Sequence, residues 1–224
     1  MKIAELFYSI QGEGSLVGVP SVFIRTSGCN LRCRWCDTPY TSWQPEGAEW
    51  PLDRILDEVK AYLAARHVVV TGGEPMIAPE ILPLTERLRA AGFHITIETA
   101  GTVFEPVACD LMSISPKLSN STPEGRFQAQ HDRLRIQPEV LTRLMARYEY
   151  QLKFVMEQTG DLAEVLSLVE TLRADRERVI LMPEGTDREQ LGERSVWLAE
   201  ICKQEGFRFS PRLHVDLWGN RRGV

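Results

Sequence analysis

The sequence predicts an α/β fold, a partial parallel β/α barrel of about six strands, with its functional face at the C-terminal strand ends. Three observations carry this. Short β-branched apolar runs alternate with helical patterns through most of the chain, which requires a parallel sheet with right-handed crossovers. The 224 residues are ample for one domain with a good core but short for a complete eight-fold barrel of about 250. The chemically distinctive segments begin where strands end, and a barrel gathers those ends on one face. A doubly wound open sheet, which collects strand ends at a switch point, is the competing arrangement. Residues 1–224 are read as a single domain.

Lys2 to Ile10 reads as a strand running into the turn Gln11-Gly12-Glu13-Gly14, whose glycines permit tight backbone. Ser21 to Arg25 is a buried strand by composition, followed directly by Cys29-Asn30-Leu31-Arg32-Cys33-Arg34-Trp35-Cys36-Asp37-Thr38. A helix is expected over Pro51 to Ala65, because Leu52, Ile55, Leu56, Val59 and Leu63 recur at helical spacing and Pro51 suits the first position. Val68-Val69-Val70 is the second core strand and ends in Thr71-Gly72-Gly73-Glu74-Pro75. Pro79 to Ala91 follows as a helix, closed by Gly92 where a left-handed residue is needed. Phe93 to Ile97 and Leu111 to Ile114 are strands, ending in Glu98-Thr99-Ala100-Gly101 and Ser115-Pro116-Lys117.

Leu118 to Asp132 is polar, contains Pro123 and Gly125, and is expected to be a mobile loop. A helix near Pro138 to Arg147 leads to the strand Tyr150 to Val155. Leu162 to Leu172 is a helix with Leu162, Val165, Leu166, Val169 and Leu172 on one face. The sixth core strand, Val179 to Leu181, ends in Met182-Pro183-Glu184-Gly185. A last helix, roughly Asp187 to Gln204, precedes the tail.

Composition narrows the function. A formal net charge of −5 argues against a nucleic-acid scaffold. No apolar run approaches the ~20 residues of a membrane span. Met1-Lys2-Ile3-Ala4-Glu5 lacks a signal-peptide core, and free cysteines without an export signal indicate a reducing cytoplasm. Three of the five cysteines, Cys29, Cys33 and Cys36, are spaced C-x3-C-x2-C. Iron–sulfur clusters are held by thiolates, and a full [4Fe–4S] set needs four, so three leave one iron open for chemistry. Two other readings compete. A structural zinc site needs a fourth ligand, for which Cys109, Cys202 and the histidines are candidates. A disulfide framework fits poorly with an odd count and no secretory signal.

This spacing, with Trp35 before the third cysteine, resembles the cluster loop of radical S-adenosylmethionine (SAM) enzymes, and the expected fold is the partial barrel of that type. The resemblance implies SAM on the open iron and Trp35 beside the adenine, with Cys36 and Asp37 adjacent. Gly73 and Glu74 belong to Gly72-Gly73-Glu74-Pro75, which resembles the segment whose backbone binds the methionyl amino group. Glu98 is a candidate for the SAM ribose or amino group, and Ser115, Pro116 and Lys117 for its oxygens.

Gln11-Gly12-Glu13-Gly14, Cys36-Asp37-Thr38, Ser115-Pro116-Lys117 and the end Leu213 to Val224 together resemble the 7-carboxy-7-deazaguanine synthases. That resemblance implies a [4Fe–4S] cluster, SAM and Mg²⁺. It also implies conversion of 6-carboxy-5,6,7,8-tetrahydropterin to 7-carboxy-7-deazaguanine with loss of ammonia, a homodimer and a flavodoxin-like electron donor. The chemistry of the residues fits. The Arg25 guanidinium suits the substrate carboxylate. Gln11 and Glu13 offer acceptors to its guanine-like edge, flanked by Ile10 and Gly12. Thr71 faces the ring, Thr38 offers a hard oxygen to Mg²⁺, and His214 reaches in from the tail. The Val224 α-carboxylate is expected to bind substrate, with Leu213, Leu217 and Trp218 anchoring the tail by burial. Where the family often places a glutamine, this chain has Met182, whose thioether accepts hydrogen bonds only weakly. Two other functions remain in competition: an activase for a glycyl-radical partner enzyme, and a non-catalytic zinc-binding module.

Overall fold

The computed structural model describes all residues from Met1 to Val224. The strands are β1 (Lys2–Ile10), β2 (Pro20–Thr26), β3 (Ala48–Glu49), β4 (His67–Gly72), β5 (His94–Thr99), β6 (Leu111–Ile114), β7 (Tyr150–Met156), β8 (Val179–Pro183) and β9 (Arg208–Phe209). The helices are α1 (Pro39–Ser42), α2 (Leu52–Ala61), α3 (Ile81–Ala90), α4 (Gln128–Arg135), α5 (Pro138–Arg147), α6 (Leu162–Leu172), α7 (Arg188–Glu205) and α8 (Leu213–Trp218).

The strands form one nine-stranded sheet in the order β3-β1-β2-β4-β5-β6-β7-β8-β9. From β2 to β9 every neighbouring pair is parallel and the order follows the chain. A doubly wound sheet would reverse direction at a switch point. None exists, so the six predicted core strands form a singly wound partial barrel. Antiparallel β1 and the short β3 and β9 extend it at its edges.

Alternation along the strands separates two environments. Ile24, Val68, Val70, Ile95, Ile97, Met112, Ile114, Leu152, Phe154 and Leu181 belong to the main apolar core, together with Ile55, Val59, Leu84, Leu88, Val165 and Leu198 of the helices. The opposite parity carries Phe23, Arg25, Thr71, Glu98, Ser113, Ser115, Lys153, Val155 and Met182, which line a cavity. Register sets polar groups side by side there: Arg25 opposite Thr71, Glu98 opposite Ser113, and Ser113 opposite Gln151.

The helices follow their expected patterns, with two differences. α2 stops at Ala61, four residues early, because Tyr62 leaves helical geometry (ψ 80°) and Leu63 is 85% exposed instead of joining the apolar face. α6 keeps its predicted bounds and α7 starts from Asp187, whose side chain accepts from the Glu189 and Gln190 amides at 3.1 Å. The larger correction concerns Leu118 to Asp132. It is not an unstructured loop: two short 3₁₀ turns lead into α4.

Candidate active site

The C-terminal strand ends surround one cavity of about 250 Å³. The cysteine loop enters it directly from β2. Its base is held between α1 and the end of β4: Gly28 N donates to Thr41 O at 2.8 Å, and Glu74 N donates to Gly28 O at 2.9 Å. A Cβ on Gly73 would lie 2.1 Å from Gly28 O and 2.8 Å from the Cys29 Cβ. The glycine is therefore required first by contact with the cysteine loop.

Cys29, Cys33 and Cys36 are free thiols lining the cavity. Burial pushes Cys29 up to about 11 and Cys33 up to about 12. The two thiols therefore stay protonated at neutral pH unless a metal replaces the proton. The Leu31 amide already donates to the Cys29 sulfur at 3.3 Å, and the Cys36 sulfur lies 3.2 Å from the Ser42 hydroxyl. No three His, Cys, Asp or Glu side chains converge on a single-ion site. The donor set fits a multi-iron cluster, which spreads its thiolates over separate irons, better than mononuclear zinc.

Trp35, Ser115, Lys117 and Gly73 line the cavity with the cysteines. Lys117 Nζ donates to Ser115 O at 3.0 Å and Oγ at 2.8 Å, and lies 5.9 Å from the Trp35 ring centre. Trp35 Nε1 donates to Asn120 O at 3.0 Å. Two residues predicted to touch SAM do not line the cavity, Pro116 and Glu74. The Glu74 carboxylate is spent on the Met76 and Ala100 amides and the Thr99 hydroxyl, at 2.8–3.1 Å. Burial raises its pKa, and these donors work against the rise. It braces the ends of β4 and β5.

The opposite group of residues comes from the turn after β1, from the ends of β2, β4 and β5, from the end of the cysteine loop and from the tail. Ile10, Gln11, Gly12, Glu13, Arg25, Thr71, Glu98, Thr38, His214 and Val224 all line the cavity. Gln11, however, is internally committed: its Nε2 donates to Glu98 Oε1 at 3.0 Å and its Oε1 accepts from Glu13 N at 3.1 Å. It braces the turn and leaves Glu13 as the acceptor. Arg25 Nε is paired with Glu5 at 2.9 Å. The Thr38 hydroxyl accepts from Thr41 Oγ1 at 3.3 Å and lies 3.8 Å from the Cys36 sulfur. A Cβ on Gly12 would lie 2.1 Å from His214 Nδ1, so only glycine lets the tail dock there.

Sequence reasoning missed three residues. Lys153 on β7 pairs with Glu13, and Arg212 before α8 pairs with Glu13 and Asp37 while donating to Gly185 O at 2.6 Å. Burial works to raise the Glu13 pKa, but Lys153, then Arg212, overcome it and hold the carboxyl well below its usual range. The signal was present: Gln151 and Lys153 alternate with apolar residues in a buried parallel strand, where continuous apolar runs are the rule. The third is His131 of α4. Its Nδ1 accepts from Arg32 N at 3.1 Å and its Nε2 lies 2.9 Å from Ser121 Oγ, so the 118–132 segment supports the cysteine loop.

The tail is anchored differently from expectation. Leu217 is 48% exposed, whereas Val215 is buried. Leu213 N donates to Gly12 O at 3.0 Å, and Arg188 reaches Val215 O and Leu217 O at 3.1 and 2.9 Å. Near the end, Arg222 pairs with Glu5 at 3.0 Å and Glu46 at 3.2 Å and lies over the Tyr40 ring at 3.7 Å.

A singly wound partial barrel with three free cysteines in the loop after its first parallel strand defines a class. The family model for the radical SAM superfamily matches residues 23–191, which implies a [4Fe–4S] cluster and SAM. Within that class, the chain is 45% identical to a 7-carboxy-7-deazaguanine synthase of Halobacterium salinarum, over 98% of this chain and 91% of the relative. A synthase of the same name from Rhodopirellula baltica is also 45% identical, over 99% and 88%. The crystal structure of QueE from Escherichia coli superposes with a TM-score of 0.70 at 28% identity, covering 95% of this chain and 94% of that one. The chain belongs to the 7-carboxy-7-deazaguanine synthase family. None of these three names describes an activase or a zinc-binding module, and neither of those readings is favoured.

Proposed function

We propose that this protein converts 6-carboxy-5,6,7,8-tetrahydropterin to 7-carboxy-7-deazaguanine with loss of ammonia, a carbon–nitrogen lyase reaction serving queuosine and related deazapurines. The observation that carries the reading is convergence. One cavity is lined by the cysteine loop and Gly73 together with Arg25, Glu13, His214 and Val224. When bound, the cluster and SAM supply the radical chemistry, and the protein's work is to position the reacting atoms and exclude side reactions.

In this reading Cys29, Cys33 and Cys36 hold the cluster. Trp35, Asp37, Gly73, Glu98, Ser115 and Lys117 face SAM, with Pro116 and Glu74 shaping the loops behind them. The Arg25 Nη atoms are left for the substrate carboxylate, since only Nε is paired with Glu5. Glu13 accepts N–H donors of the pyrimidine ring, and Ile10 and Gly12 frame it. Thr71 and His214 contact the ring, and the Val224 carboxylate closes the site. Thr38 would hold Mg²⁺ through its hard hydroxyl oxygen, and the ion would supply charge stabilisation to substrate oxygens. The protein acts in the cytoplasm as a homodimer reduced by a flavodoxin-like donor; the family resemblance supports these three points.

The test is anaerobic turnover of cluster-loaded protein with SAM, reductant and the tetrahydropterin. Product and ammonia should form in equal amounts. Cleavage of SAM with no consumption of the pterin would overturn the reading. In the same assay Thr38→Ala should keep its iron and lose the response of product formation to added Mg²⁺; an unchanged response would remove Thr38 as the ligand.

A further inference from the structure

We infer that Lys153 and Arg212 are positioning residues for recognition: they clamp the Glu13 carboxylate so that its remaining lone pairs select a ligand edge with two adjacent N–H donors. The inference rests on the pterin reading and deepens it.

Glu13 sits in the turn after β1. Lys153 reaches its Oε2 from β7, 140 residues along the chain. Arg212 reaches its Oε1 through Nε at 3.2 Å, across 199 residues. Lys153 is 5% exposed and Arg212 7%. A carboxylate offers about four acceptor sites. One on each oxygen is taken by a cation, and one on each remains. The Glu13 amide is held by Gln11 Oε1, which fixes the backbone of the turn and leaves the two cations to orient the carboxylate. The same two cations outweigh burial and keep the group ionised, so it can only accept.

Two free acceptor sites on parallel oxygens match a ring N–H beside an exocyclic amino group, as in a 2-amino-4-oxo pyrimidine. A 2,4-dioxo ring presents a carbonyl where the amino group would be. Its oxygen would face a carboxylate oxygen with no proton between them. Selection arises from the clamp as well as from Glu13, because an unclamped buried carboxylate could turn or take up a proton and donate.

The test uses two stable aromatic pteridine 6-carboxylates that differ only at position 2, one amino and one oxo. Each is titrated into cluster-loaded protein with SAM and without reductant, following ligand fluorescence. Wild type should prefer the amino ligand by roughly ten- to a hundred-fold, the value of a charge-assisted hydrogen bond. Lys153→Met should weaken the amino ligand by roughly tenfold or more, leave the oxo ligand nearly unchanged, and raise KM more than it lowers kcat. Lys153→Gln keeps one donor to Glu13 and should fall between; it decides the matter if the Met variant does not accumulate. Equal weakening of both ligands, or an unchanged preference, would overturn the assignment. Wild-type protein that loads iron and SAM but binds neither pteridine would overturn the pterin reading and the assignment with it.

Discussion

The cysteine loop and the turn-and-tail assembly line the same cavity but are built on different physics. The cysteine loop is local. Its thiols lie within eight consecutive residues, its base is held by backbone hydrogen bonds to the end of β4, and burial keeps the Cys29 and Cys33 thiols neutral until metal arrives. The turn-and-tail assembly is non-local and charged. Glu13, Lys153, Arg212 and Asp37 lie on four separate segments, and their pairs span 140, 199 and 175 residues. One part waits for a cofactor to complete it; the other is complete within the chain. Loss of a ligand should therefore remove a cofactor from the first, and loss of a charge should destabilise the fold at the second.

The largest expected effect is at the cysteine loop. Cys33→Ala should abolish cluster loading, measured as iron and sulfide content of anaerobically reconstituted protein, with product falling below detection. Melting of the metal-free chain should change little, because the thiol packs only in a small satellite cluster with Leu31 and Ala100. Normal iron content in this variant would remove Cys33 from the ligand set.

Next is Arg212→Met, which tests the charged assembly. It strands Glu13 and Asp37 without one shared cation, and breaking a buried pair costs about 3–5 kcal/mol. For a chain of this size that corresponds to a fall in Tm of roughly 6–20 °C. Metal-free protein is the right sample, since the effect belongs to the chain itself. A Tm within a degree of wild type would show that the assembly is dispensable for the fold and that its charges are retained for ligand binding alone.

The same contrast explains what the sequence disclosed. C-x3-C-x2-C, Gly-Gly-Glu-Pro and Ser-Pro-Lys are short segments whose chemistry is visible at one place in the chain, and their positions at strand ends order them. The six-stranded parallel core was legible from β-branched runs alternating with helices. Arg212 and Lys153 were not, because an ion pair across the fold leaves no local pattern. Lys153 left a trace as a charge in an otherwise apolar strand. Arg212 left none: only packing of the tail against Gly12 brings it to Glu13. The 118–132 segment misled because its composition is that of a loop, while α4 is held by the contacts of His131 to Arg32 and Ser121. The Glu74 side chain was not legible either: the motif points to its backbone as the ligand contact, and only the folded chain shows its carboxylate committed to Met76, Thr99 and Ala100.

A smaller effect is expected at the end of the tail. Val224 lines the cavity, and Arg222 holds the preceding residues to Glu5 and Glu46. An added C-terminal tag would displace the α-carboxylate, at about 1.5–3 kcal/mol for a charged hydrogen bond, or roughly ten- to a hundred-fold in substrate affinity. Untagged protein, tagged protein and protein lacking Gly223 and Val224 should be compared at matched iron content. Equal affinity in all three would leave the tail as a strap and confine recognition to Glu13 and its cations.

The smallest effect lies away from both assemblies, at the N-terminal ends of the strands, and serves as their control. His67 of β4 and His94 of β5 are register partners with ring centres 4.5 Å apart. The Nδ1 atom of each is buried without a partner. Burial lowers the His67 pKa below its usual 6.5, His94 lowers it further, and Asp110 opposes them. A histidine whose folded pKa lies below its unfolded value binds more protons when unfolded. Its contribution to stability is full above pH 6.5 and is lost as pH falls through the folded pKa. His67→Phe keeps an aromatic ring beside His94 and removes the titration. The Tm difference between wild type and this variant should be flat above neutrality and move against wild type below about pH 6.5. Parallel curves across that window would show that the pair does not titrate on unfolding. Iron content and pteridine affinity at pH 8 should match wild type, because the substitution lies at the opposite ends of the strands from the cavity. A change in either would mean that the sheet transmits strain along its strands to the site, and the two assemblies could then no longer be perturbed independently.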